Sequence, residues 1–189
     1  MKHVAIHGHR GARGHAPENT LAGFEMAVNL GATSIEFDVN VSSDNRLVIY
    51  HDAALNPEIC RMRDGRRPQR PYKLIHQLPL NELKEIDVGY LNMNSNYGRY
   101  FPHQQRFDGE RIPTLRDLSR LLSRLNANQL LLNIEVKSNP FYPDWSPSPV
   151  EFSALLLHEL DEIGWLERVW VQSFDWRVLQ AIQNNCPNI

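Results

Sequence analysis

Three short apolar runs in this 189-residue chain end in side chains that can hold a cation, move a proton or bind an anion. His9 and Arg10 follow Val4-Ala5-Ile6. Glu36 and Asp38 lie inside Ile35-Glu36-Phe37-Asp38-Val39, and His51 and Asp52 close Leu47-Val48-Ile49-Tyr50. Residues two apart on a strand share a face, so Glu36 and Asp38 point the same way. Glu135 sits near the end of a further apolar run, 130–136. Three carboxylates with room for waters make a hard-oxygen site, suited to Mg²⁺ or Ca²⁺ and unsuited to a soft, thiolate-bound metal. A solvated strand face is the ordinary alternative. In a parallel sheet, however, both faces are covered, and inward carboxylates need charge compensation.

His9 and His51 form the natural proton-transfer pair, because imidazole titrates near neutrality and can serve as base in one ring and acid in the other. His3, His7, His15, His76, His103 and His158 lack such surroundings and read as structural. Arg10 and Lys137 bring positive charge beside these groups. A guanidinium matches phosphate oxygens two at a time, and an ammonium adds a point charge. Each could instead pair with a site carboxylate. Taken together, the residues point to metal-assisted phosphoester chemistry.

The positioning elements follow from periodicity. Residues 4–6 read as a short buried strand, followed by a glycine-rich turn. Ala16-Pro17-Glu18-Asn19-Thr20 reads as a helix start, with Pro17 in the first turn and Glu18 at the positive end of the dipole. Strands are expected at 34–41, 47–50, 130–136 and 169–174, and helices at 114–125, 150–163 and 176–184. Residues 53–112 break the pattern, with one helical fragment near 80–86, and read as an inserted subdomain over the site. Strands alternating with helices imply a parallel sheet covered by helices. Site groups at strand C-termini fit a (β/α) TIM barrel. A doubly wound sheet also binds ligands there, but the chain has no Gly-rich dinucleotide or Walker fingerprint.

Composition excludes some classes. The hydrophobic share of 42% and charged share of 22% are those of a globular protein. A formal net charge of -2 gives no overall basic field of the kind nucleic acid or anionic membrane binding usually needs, so phosphate recognition is expected to be local, by a few placed cations. Cys60 and Cys186 lack a CxxC context, so neither a disulfide nor a zinc site is expected. No apolar run has the roughly 20 residues of a membrane span, and the start does not read as a signal peptide. A cytoplasmic location is therefore expected.

The chain resembles the glycerophosphodiester phosphodiesterase family in six pieces in order: His9-Arg10-Gly11, Pro17-Glu18-Asn19-Thr20, Glu36-Phe37-Asp38-Val39, His51-Asp52, Ile134-Glu135-Val136-Lys137 and Gln172-Ser173-Phe174-Asp175. The resemblance implies a TIM-barrel hydrolase of the PLC-like phosphodiesterase type, with a small insertion after the third strand. It implies cleavage of glycerophosphodiesters to glycerol 3-phosphate and an alcohol. Glu36, Asp38 and Glu135 would hold the divalent metal, His9 and His51 would be general acid and base, and Arg10 and Lys137 would bind phosphate. It further implies attack by the neighbouring glycerol hydroxyl, through a cyclic phosphate that water opens. Leu55-Asn56-Pro57-Glu58-Ile59-Cys60-Arg61 departs from the commoner family pattern, which leaves the head group open.

The expected count is five strand–helix units, so a single partial barrel domain over 1–189 would lack the last three of eight. Bare edge strands would then call for a partner chain or an oligomer covering the open barrel edge. Two alternatives share the same residues. One is a truncated barrel that only binds phosphate or metal. The other is a phospholipase D-like enzyme acting on lysophospholipid head groups, with Phe141, Tyr142 and Trp145 as an apolar rim.

Overall fold

The structure, a computed structural model, describes residues 5–189. His3 and the Val4 of the expected first strand lie outside the described residues. Among the described residues five strands form one sheet: β1 (His7–His9), β2 (Ser34–Val41), β3 (Leu47–Ile49), β4 (Leu131–Val136) and β5 (Val169–Gln172). Its order is β1-β2-β4-β5, all parallel, with β3 attached to β2. Among the described residues six α-helices accompany it: α1 (Leu21–Asn29), α2 (Leu80–Leu83), α3 (Asn96–Arg99), α4 (Leu115–Arg124), α5 (Pro149–Glu162) and α6 (Trp176–Asn185). Among the described residues no helix is long and apolar enough to cross a membrane.

Three expectations change. The first strand is His7–His9, later than 4–6, because pairing rather than apolar character defines it. His7 aligns with Ser34 at the start of β2, whereas Ile6 is 59% exposed. The helix start is at Thr20, which caps α1 by accepting from the Gly23 amide, so Pro17 and Glu18 precede the helix. Asn19 takes a left-handed φ of 54°, which no helix interior allows. Lastly, β3 runs antiparallel to β2, with Val39 opposite Ile49 and Val41 opposite Leu47. A parallel return needs a crossover of a dozen residues or more. Here the turn is tight, with the Ser42 amide donating to the Arg46 carbonyl at 2.9 Å. The sheet thus holds four parallel strands, and five strand–helix units become four.

Side-chain parity puts Ile35, Phe37, Val39 and Val41 on the helix side of β2. There they join Phe24 of α1, Leu118 and Leu122 of α4, and Phe152 and Leu156 of α5 in one buried cluster. Each such side chain contributes roughly 1.5–3 kcal/mol by leaving water. The other parity faces inward: His9 beside Glu36, Asp38 beside Glu135, Asn133 beside Trp170. The sheet curls about this inner face. His7 of β1 stacks on Trp170 of β5, two strands beyond its neighbour, at 5.9 Å between ring centres. That is the curvature of a barrel wall, left open between β1 and β5 among the described residues.

Residues 53–112, with Val48 of β3 and Tyr50 just past it, carry a second buried cluster that includes Leu55, Ile75, Leu83 and Ile112. The expected 80–86 helix is the single turn α2, and α3 is a further turn that apolar periodicity does not mark.

Gly11 shows how tightly the first loop is packed. Its φ is +81°, and a Cβ there would lie 2.8 Å from the Gly23 carbonyl carbon. Gly31 has a similar φ of +82° but open space around it. Gly31→Ala should therefore lose about 1 kcal/mol, the left-handed cost alone. Gly11→Ala should lose at least about 2 kcal/mol, since α1 must also move. Urea unfolding of the two variants compares them directly.

Candidate active site

The inner face of β2 and β4 concentrates acid. Glu36 and Asp38 are 5% and 0% exposed, and Glu135 is 9% exposed. Asp38 and Glu135 are direct cross-strand partners. One carboxylate oxygen from each of the three lies within 4.8 Å of the others. Burial, and then the Asp38 charge beside it, push the Glu36 carboxyl up to about 7. Two buried oxygens, Glu36 Oε1 and Asp38 Oδ1, have no hydrogen-bond partner. Orphaned buried acceptors are rare and call for a cation or donor. The expected cations are present but engaged. Arg10 Nη1 meets Glu18 at 2.9 Å and its Nε lies 3.4 Å from Asp38. Lys137 Nζ meets Glu135 at 2.6 Å and lies 3.6 Å from Asp38. Four carboxylates thus face two fixed cations, and the donor set fits one divalent, oxygen-seeking ion.

Local backbone aims these groups. Arg10 holds a left-handed φ of 53°, unusual for a bulky residue, and its amide donates to Glu36 Oε2 at 2.9 Å. Asn19 turns its amide group to Asp38 Oδ2 at 2.8 Å. Glu18, expected at a helix dipole, instead accepts from Arg10 and from the Tyr97 hydroxyl of the 53–112 segment. Burial opposes Arg10's charge, but Glu18 and Asp38 outweigh it and raise its pKa.

The two histidines meet the acid cluster at different members: His9 lies against Glu36, and His51 shares a hollow with Glu135. His9 Nε2 is 3.7 Å from Glu36, and its Nδ1 is 3.0 Å from Arg13 Nη2. A guanidinium has no acceptor, so Nδ1 accepts and the ring proton sits on Nε2. Burial and then Arg13 lower the His9 pKa, which favours this neutral ring. His51 Nδ1 is 2.6 Å from Asp52 Oδ1. Burial opposes ionisation of Asp52, but hydrogen bonds from His51 and Asn56 outweigh it and hold its pKa low. Asp52 therefore accepts, His51 donates through Nδ1, and its Nε2 lone pair is free. The rings line separate hollows. His51, Glu135 and Lys137 share one of about 270 Å³, and His9 lines another of about 410 Å³. A larger one, about 820 Å³, lies against α1 and away from the buried carboxylates.

β3 delivers His51 although it runs the opposite way. β2 extends to Val41, past the level of Glu135, and the hairpin returns along it, so that the Tyr50 amide bonds to the Asp38 carbonyl at 3.0 Å. Several supporting residues escape sequence reasoning. Arg13 and Tyr97 carry no pattern signal. Asn19 carried one, since asparagine tolerates a left-handed turn. Asp175, quoted only as part of a motif, caps α6 and accepts from Ser138 at 2.7 Å, tying the loop after β5 to the loop after β4.

An open barrel wall with a hard-oxygen cluster at its strand ends is the arrangement of a (β/α)-barrel protein with its site on the C-terminal face of the strands. Residues 9–189 match the Glycerophosphoryl diester phosphodiesterase family, and the chain belongs to it. The glycerophosphodiester phosphodiesterase of Caldanaerobacter subterraneus subsp. tengcongensis is 31% identical over all of this chain. The chain spans 65% of that relative's length. A solved structure of the same family designation from Silicibacter pomeroyi DSS-3 superposes with TM-score 0.91 at 31% identity, covering 98% of this chain and 63% of that one. An Oleispira antarctica phosphodiesterase solved with sn-glycerol-3-phosphate gives 0.72 at 29% identity, covering 98% and 64%. The solved neighbours thus carry the same TIM-barrel architecture as this wall.

Asp175 gives a clean stability test. Arg177 grips it at 2.9 and 2.8 Å, and this, more than any other contact, brings its carboxyl down to about 2. A depressed carboxyl stabilises the fold above its unfolded pKa near 3.9 and loses that effect as pH falls toward 2. Asp175→Asn should cost roughly 1–2 kcal/mol at neutral pH, allowing for the exposed Arg177. The gap from wild type should close between about pH 4 and pH 2. Urea melts across that range measure it, and a gap independent of pH would contradict the assignment.

Proposed function

We propose that this site hydrolyses glycerophosphodiesters to glycerol 3-phosphate and an alcohol. The carrying observation is the buried Glu36–Asp38–Glu135 cluster with orphaned oxygens, with His9 3.7 Å from Glu36 and His51 in one hollow with Glu135 and Lys137. Family membership supports the reading, as does the glycerol 3-phosphate bound by the Oleispira antarctica relative. Glu36, Asp38 and Glu135 would hold Mg²⁺ or Ca²⁺, which when bound supplies charge neutralisation at the phosphate.

The remaining steps fall to the chain's own groups. Arg10 and Lys137, beside the cluster, bind phosphate oxygens. His51, with Nε2 free, takes the proton from the glycerol hydroxyl next to the diester as that oxygen attacks phosphorus. His9 acts as acid in its imidazolium form, with the Arg13 contact released and both ring nitrogens protonated; it gives the Nε2 proton to the departing alcohol oxygen as the old P–O bond breaks and is left neutral with Nε2 open. A cyclic phosphate results. Water then opens it, with His9 taking the water proton and His51 returning one to the ring oxygen. We assign 53–112 as an inserted subdomain within one domain, bearing on head-group choice through its stem beside the His51 hollow.

A binding-only reading, phosphate or metal without turnover, draws on one feature: Arg10 and Lys137 are both held by carboxylates. Choline release from glycerophosphocholine, with and without EDTA, separates the two. The hydrolytic reading expects EDTA-sensitive release. It also expects His9→Ala and His51→Ala each to lower turnover about hundredfold or more. Their calorimetric affinity for Mg²⁺ or Ca²⁺ should stay within about twofold of wild type, whereas Asp38→Asn should lose it. Metal binding with no turnover in the wild type would favour binding only. Near-wild-type turnover in either histidine variant would refute the proton roles.

A further inference from the structure

Charge along this chain is strongly segregated. Residues 61–73 hold Arg61, Arg63, Arg66, Arg67, Arg70 and Lys73 against the single acid Asp64, a net of +5. The chain as a whole is -2, so all the rest carries -7. Arg61, Arg67 and Arg106 crowd the Tyr90 ring, at 4.8, 5.0 and 3.6 Å from its centre. Arg61 and Arg106 have Asp87 and Asp108 as counter-charges. Arg67 donates only to the backbone carbonyls of Glu58 and Cys60. Among the described residues, Arg67, Arg70 and Lys73 make no ion pair. Arg66, Arg67 and Lys73 line one hollow of about 280 Å³ together with Leu55, Met62, Pro68 and Asp64, the last pairing with Arg66 at 2.8 Å. Cations crowded without enough internal acid favour an external anion.

A second feature adjoins this arm. Its stem runs beside the site, with the Leu55 amide bonded to the Lys73 carbonyl and the Ile75 amide to the Ala53 carbonyl. Ala53 itself lines the His51 hollow, together with Trp145. The turn Ile75–Gln77 packs on the turn Pro143–Trp145. The loop leading into that turn exposes Phe141 at 85% and Tyr142 at 51%, with Tyr142 stacked on Trp145 at 4.1 Å. Cations beside exposed aromatics are the combination that seats a protein at a lipid head-group layer.

We propose that the 61–73 arm and the Phe141–Tyr142 loop form one docking surface for an anionic phospholipid bilayer, placing the His51 mouth at the interface. The rim meets a flat anionic layer with its basic and aromatic parts together. A long flexible polyanion would also have to pass the acidic remainder of the chain. The proposal does not depend on hydrolysis, because its readout is binding.

Vesicle co-sedimentation of the purified protein tests it. Vesicles of phosphatidylcholine with about 30% phosphatidylglycerol should bind the protein at least about tenfold better than pure phosphatidylcholine. Binding should weaken as salt rises from about 50 to about 300 mM. The triple variant Arg63→Gln/Arg66→Gln/Arg70→Gln should lose at least about tenfold, since each basic residue near an anionic leaflet is worth roughly fivefold. Phe141→Ser/Tyr142→Ser should lose about tenfold as well. All five side chains are exposed, and circular dichroism with thermal melts checks that the variants fold. Equal binding to both vesicles, no binding, or variants that bind like wild type would overturn the proposal. So would tighter binding to RNA than to the anionic vesicles, or displacement from them by millimolar inorganic phosphate at constant ionic strength.

Discussion

Repulsion among the buried carboxylates of β2 and β4 is the constraint to which the rest of the site answers. Two unit charges about 4 Å apart repel by about 4 kcal/mol at the effective dielectric of a protein. Asp38 and Glu135 face each other across the strands, with Glu36 one step away on the same face. The structure relieves this in three ways. Arg10 and Lys137 lie against the cluster. Asn19 donates to Asp38. Glu36 is left with a carboxyl that titrates near neutrality. The remaining orphaned oxygens mark where the compensation is incomplete, and that incompleteness is what suits the cluster to a cation.

The same demand accounts for costly backbone elsewhere. Arg10 in the left-handed region costs about 1–3 kcal/mol, and the surroundings must impose it. Its carbonyl accepts from the Asn19 amide at 3.0 Å, and Gly11 lets the turn pass close under α1. The 53–112 segment reinforces this loop. Tyr97 holds Glu18, Gln104 donates to the Arg13 carbonyl at 2.8 Å, and the Gln105 amide to the His15 carbonyl at 2.8 Å. The segment is thus a structural part of the site, packed on its own apolar cluster. Loosening it would be felt at Arg10.

Much of the fold was legible in the chain. β2 could be read from strict alternation, and its apolar parity does form the core. α4 and α5 were legible within a residue at each end, because Thr114 and Ser148 cap them and apolar spacing runs through both. Glu36 and Asp38 were legible as a same-face pair from parity alone, whereas Glu135 joins them only through the pairing of β4 with β2, which the family resemblance implied and alternation did not. The direction of β3 was available and misread: five residues between strands cannot carry a parallel crossover. The segment 53–112 was opaque, because its core is built from scattered apolar residues that share no period.

By itself the sequence determined which residue types meet at the strand ends, because alternation along a strand and the punctuation of helices are local properties. Glu36, Asp38, Glu135, His9 and His51 follow from that. Only the tertiary structure decided how their charges and protons are arranged. Arg13 sets one imidazole tautomer, Asp52 sets the other, and Arg10 reaches its place through Glu18 and, at one remove, Tyr97. Of these contacts only Tyr97–Glu18 is distant in sequence, and the other three join residues one, four and eight positions apart, in or beside loops that follow no helix or strand period. They depend on where folded segments come to rest, and no local pattern along the chain encodes that.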